Sequence, residues 1–142
     1  LEAVCQAAAI ADLSACEPGD LTALSWALAA AGKRDIAVMS KVGGEVAERA
    51  WEFSSEELTK TVRAFAELSL QHQAMMSTVS MEVMWKIDQF SASGLAQMAE
   101  SCARLGCCKE PTFDWLAARI IGRMQDYRTP DLASVAWGGG GG

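Results

Sequence analysis

Apolar residues recur along this chain at two intervals, one nested in the other. At short range they fall three and four residues apart: Leu21, Leu24, Leu28, then Leu58 and Phe65 with Thr61 in the middle column, then Leu95, Met98, Cys102. This spacing holds side chains on one face of an α-helix, whereas a strand would alternate its faces every second residue. A second series follows each of the first: Val42, Val46, Ala50, Phe53, then Val79, Val83, Ile87, Phe90, then Leu116, Ile120, Met124, Tyr127. Its steps of four, four and three again predict a helix, running through the closing aromatic residue. Each pair of series therefore predicts two helices, A and B, joined as an antiparallel hairpin.

At long range the interval is 37 residues: Leu21, Leu58, Leu95 and Leu132 keep it, and so do Phe53, Phe90 and Tyr127. A fixed period of this length marks a repeat array. The expected fold is all-α, an α-solenoid of antiparallel helical hairpins with a 37-residue repeat, in one array over residues 1–142. Residues 17–53, 54–90 and 91–127 form the full units. Residues 1–16 carry the columns of a B helix, 128–137 begin a fourth unit, and 138–142 are glycine. Both ends cut through a unit, so the chain reads as an internal piece of a longer protein. The glycine tail interrupts the pattern, either as a flexible linker or as a stand-in for unidentified residues; the second leaves the repeat intact.

The punctuation agrees with these limits. Ser54 and Glu57 form a capping-box pattern, and Pro18 and Pro130 suit the first turn of an A helix. Gly32 and Gly106 suit left-handed C-caps, with Ser69 a weaker stop at the same column. The B helices are expected to start near Asp35, Gln73 and Pro111.

Composition narrows the function classes. The chain is 51% apolar and has a net charge of −6, distributed as −2, −2, −2 and zero over residues 1–16, 17–53, 54–90 and 91–142. No apolar run approaches the roughly 20 residues of a membrane-spanning helix. Five cysteines form no C-x-x-C pair. Cys5, Cys16 and Cys102 fall in apolar columns and the vicinal Cys107 and Cys108 in a turn, so no metal or cofactor is expected. His72, the single histidine, falls in an A–B turn with no nucleophile beside it. Gly43-Gly44 matches no phosphate loop. Glu45, Glu48 and Glu52 alternate with Lys41 and Arg49 as on a solvated helix face. The expectation is a binding module, neither an enzyme nor a protein with a small-molecule substrate.

For RNA, the contact candidates are Lys60 and Arg63, one turn apart on helix A of the second unit, and Gln97 in the Lys60 column. For a protein partner they are Trp26 and Trp137, which share a column off the main A-helix stripe. Backbone-driven nucleic-acid binding needs a basic surface, and the overall acidity opposes it.

The segments LTALSWALAAAG (Leu21–Gly32), ELTKTVRAFAELS (Glu57–Ser69), GLAQMAESCARLG (Gly94–Gly106) and PDLASVAW (Pro130–Trp137) resemble the repeat helix of organellar octotricopeptide and heptatricopeptide proteins. Trp26 and Trp137 keep that helix's tryptophan, which Arg63 and Glu100 replace. The resemblance implies an α-solenoid that binds single-stranded or ribosomal RNA in a mitochondrion or chloroplast. The alternative is a scaffold among the protein subunits of a large organellar assembly.

Overall fold

Local sequence sets the ends of each helix in the computed structural model, which describes residues 2–106, 114–115 and 117–122. Six α-helices are defined along it: α1 (Glu2–Ile10), α2 (Pro18–Ala30), α3 (Ile36–Arg49), α4 (Ser55–Glu67), α5 (Gln73–Trp85) and α6 (Ala92–Arg104). Residues 114–115 and 117–122 are also helical, and no strand occurs among the described residues. At the start of α4 the Ser54 hydroxyl accepts from the Glu57 N–H at 3.1 Å, while the Glu57 carboxylate accepts from the Ser54 N–H at 2.9 Å. Ser91 caps α6 through the Gly94 N–H at 2.9 Å, and Asp35 caps α3 through the Val38 N–H at 3.1 Å. Pro18 occupies the first turn of α2, where no donor is lost.

The A helices α2 and α4 close alike. Lys33 N–H donates to Leu28 C=O and Leu70 N–H to Phe65 C=O, both at 2.9 Å, around a residue with positive φ. That residue is Gly32 (φ 67°) after α2 but Ser69 (φ 53°) after α4, and Gly106 (φ 78°) takes the position after α6. A non-glycine residue accepts the left-handed conformation there because the closing bonds satisfy carbonyls that the helix end would otherwise strand.

The B helices end differently from expectation. The sequence predicts helix through Phe53 and Phe90, yet α3 stops at Arg49 and α5 at Trp85. Short 3₁₀ turns follow, Leu13–Ala15, Ala50–Glu52 and Ile87–Gln89, and then Cys16, Phe53 and Phe90 are extended. A three-residue apolar step is also the 3₁₀ period, so spacing alone does not separate the two conformations.

The helices form two layers. In one, α2 packs on α4 and α4 on α6; in the other, α1 packs on α3 and α3 on α5. Leu21, Leu58 and Leu95 are buried in the first, Val42, Val46, Val79 and Val83 in the second, with Phe53, Phe65 and Phe90 among the largest enclosed side chains. Cys5 and Cys102 are buried and Cys16 is half-buried, as their apolar columns require. A buried Thr22–Thr61 hydroxyl pair at 3.1 Å links α2 to α4.

Polar side chains tie successive helical segments together through main-chain carbonyls. Arg34 donates to Leu68 C=O at 2.9 Å and Ser69 C=O at 3.2 Å, and its counterpart Gln71 donates to Leu105 C=O at 2.7 Å. Arg49 donates to Leu13 C=O at 3.3 Å and to Cys16 C=O. Lys86, 37 residues later, donates to Trp51 C=O at 3.1 Å and Phe53 C=O at 2.8 Å. Lys41 closes the end of α1 on Ala8 and Ala9 C=O at 3.1 and 3.0 Å. The acidic stretch of α3 is therefore not a solvated face throughout. Arg49, with Glu45 at 3.3 Å, is only 15% exposed, because its guanidinium turns inward to carbonyls left over by the preceding turn.

His72 does more than occupy the A–B turn. It caps α5, its Nδ1 accepting from the Met75 N–H at 3.1 Å, while Nε2 faces Ser40 C=O at 3.2 Å. The two partners select the Nε2–H tautomer. The ring lies edge-on to Phe65 and against Gly43, where a Cβ would stand 2.3 Å from Cδ2. That approach accounts for a glycine in mid-helix.

Candidate functional site

Four of the five sequence-selected residues lie on the A layer, and three of them join into one line. The Arg63 guanidinium on α4 sits over the Trp26 ring of α2, 5.2 Å from its centroid. The same group donates to Gln97 Oε1 on α6 at 3.0 Å, and Gln97 Nε2 donates to Ser93 Oγ at 3.1 Å. One guanidinium thus spans three successive A helices, with Trp26, Arg63 and Gln97 all half-buried. Such a cation–π contact contributes about 0.5–1 kcal/mol where partly exposed. Guanidinium carries five N–H donors, so bonding to Gln97 leaves Arg63 able to donate elsewhere.

Lys60, one turn before Arg63, is exposed. It borders an open groove between α4 and α6, whose lining includes Ser55, Glu56, Thr59, Ser91, Gly94 and Gln97. The groove's hydroxyls are already engaged in part, Thr59 donating to Ser55 C=O at 2.8 Å and Ser91 accepting from Gly94. Trp137 lies outside the described residues.

A second surface lies outside the selected contact candidates, although Trp51 and Trp85, which share no repeat column, already suggested irregular packing or a contact surface. On the B layer, Trp51, Met81 and Trp85 are 68%, 60% and 82% exposed, although Lys86 ties the end of α5 to the Trp51 carbonyl. A signal for it existed in the repeat columns, where Glu48 precedes Trp85 by 37 and Trp51 precedes Asp88 by 37. The 37-residue spacing of Arg49 and Lys86 was equally legible, but not that both turn inward to carbonyls.

Both ring nitrogens of His72 are committed to main-chain groups, and no three metal-ligating side chains gather among the described residues. No described helix is long and apolar enough to cross a membrane.

No curated protein and no solved structure matches the chain. A family model that matches describes the RNA-editing substrate-binding complex 6 protein; it agrees with the RNA association of the resemblance but does not specify octotricopeptide or heptatricopeptide repeats. Its match runs over residues 2–137, nearly the whole sequence, and the chain belongs to the RNA-editing substrate-binding complex 6 protein family.

Proposed function

We propose that this chain is a non-catalytic helical-repeat component of an RNA-editing substrate-binding assembly, and that its A layer contacts single-stranded RNA. The carrying observation is the line of Trp26, Arg63 and Gln97 with exposed Lys60 beside it. An indole, a guanidinium, an amide and an ammonium are the groups that stack on bases and hold phosphates. The family name supports the association with RNA. The architecture in this reading is an α-solenoid of units 17–53, 54–90 and 91–127, with residues 1–16 in the place of a B helix and 128–137 opening a fourth unit. The recurrence of α4 and α6 caps at Ser54 and Ser91, 37 apart, supports it. Of the two organelles implied by the resemblance, the proposal keeps the mitochondrion; nothing supports a chloroplast.

A second reading, a scaffold that holds protein subunits of the assembly, has its own observation. Arg34, Lys41, Arg49 and Lys86 turn their donors to carbonyls of neighbouring units, which leaves the acidic surplus facing outward. Trp26 and the outward aromatics are its anchors.

The test is binding of a single-stranded RNA oligonucleotide across a salt series, wild type against Lys60→Ala/Arg63→Ala. Two lost phosphate contacts flatten the slope of log affinity against log salt by about 1.5 units. Trp26→Ala weakens the affinity by about 1–3 kcal/mol if the indole stacks on a base. An absence of RNA binding at low salt sinks the first reading and leaves the scaffold.

A further inference from the structure

We infer that the outer face of the B layer around Trp51 and Trp85 docks a protein segment rich in Arg or Lys; the inference rests on the scaffold reading and is independent of RNA binding by the A layer. Trp51 and Trp85 are 68% and 82% exposed, and Met81 and Met84, on the Trp85 face of α5, are 60% and 45% exposed. The position equivalent to Trp85 in the preceding unit is Glu48, and the position equivalent to Trp51 in the following unit is Asp88, both exposed. Helix α3 packs on α5, and α5 packs on the turn that carries Trp51. Two indoles and two carboxylates thus alternate across adjacent units on one side of the layer.

The nearby cations do not neutralise this face. Arg49 and Lys86 are only 15% and 18% exposed, because their charges reach inward to carbonyls and to Glu45 and Glu82. What remains outward is acidic, aromatic and thioether. An indole face attracts a guanidinium or ammonium, and a carboxylate accepts paired N–H donors from arginine. Methionines adapt to an irregular apolar partner surface. Phosphates would meet Glu48 and Asp88, so this side does not suit nucleic acid.

The experiment uses the full chain and an 18-residue amphipathic Leu/Arg helix as probe, with its Leu/Glu counterpart as control, at about 0.15 M salt, where surface charges interact over only about 8 Å. The Arg peptide is expected to bind and perturb tryptophan fluorescence, and the Glu peptide to do neither. Trp51→Ala/Trp85→Ala and Glu48→Lys/Asp88→Lys each weaken the Arg peptide at least about tenfold, a loss of about 1.4 kcal/mol. Glu17→Lys/Asp20→Lys, an equal change of net charge at the start of α2 and away from this face, alters it less than about twofold. Circular dichroism establishes that each variant stays helical. Equal weakening by both charge pairs, or none by the tryptophan pair, overturns the proposal by reducing binding to net charge. If the face variants bind the peptide as wild type does while the protein still enters its native assembly, the docking face is lost and the scaffold reading stands. If wild type enters no assembly, the scaffold reading falls with it.

Discussion

The A and B layers are built from the same apolar periodicity but dispose of their cations in opposite ways. On the A layer Arg63 lies along the surface, stacked on Trp26 and bonded to Gln97, with Lys60 exposed one turn away. On the B layer Lys41, Arg49 and Lys86 reach under the surface and close carbonyls at the end of the preceding B-layer helix and its 3₁₀ turn. The consequence is chemical. One face keeps cations for an acceptor, while the other is left with carboxylates and indoles although both come from one acidic chain. Net charge alone therefore says little about either face, because the location of each cation, inward or outward, decides which partner a face can meet.

The broadest test of the comparison lies in the core beneath the A layer. Leu58 is fully enclosed, and Leu58→Ala should cost about 2–5 kcal/mol in chemical denaturation through the cavity it leaves. A loss under about 1 kcal/mol, the range of an ordinary surface change, would show that this column does not hold the layer together. The next effect separates the layers directly. Arg49→Ala removes charged donors from Leu13 and Cys16 carbonyls and should cost about 1.5–3 kcal/mol. Arg104→Ala breaks the ion pair between α6 and α4 with Glu67, whose side chains are 48% and 40% exposed, and should cost under about 1 kcal/mol. Equal losses would mean that inward cations do not distinguish the B layer.

The smallest effects are sharpest in sign. Gly43→Ala places a Cβ 2.3 Å from the His72 ring, which is pinned at both nitrogens, so it should destabilise despite the better helix propensity of alanine. Gly44→Ala meets nothing within 4 Å and should stabilise by about 0.5–1 kcal/mol. Thermal unfolding of the two variants beside wild type reads both signs. If both glycines respond alike, the His72–Gly43 contact does not join α3 to α5.

Much of this molecule was written locally. The capping box at Ser54, the left-handed closures at Gly32 and Gly106, the starts of α3 and α5 near residues 35 and 73, and the buried columns of Leu21, Leu58 and Leu95 follow from neighbouring residues and spacing. These are short-range effects: a hydroxyl three residues from an N–H, or an apolar side chain one turn from the next. The ends of the B helices were not legible, because a step of three fits an α-helix and a 3₁₀ turn equally. Nor was the role of Gly43, whose reason is a histidine 29 residues away on another helix. The candidate site divides in the same way. Sequence alone selected Trp26, Lys60, Arg63 and Gln97 as surface residues of the A helices; only the packing of α2, α4 and α6 joined three of them through one guanidinium. Sequence alone counted the cations and acids. Which cations turn inward was decided by the tertiary structure, because a long flexible side chain goes to whichever unsatisfied carbonyl the neighbouring unit brings within its reach.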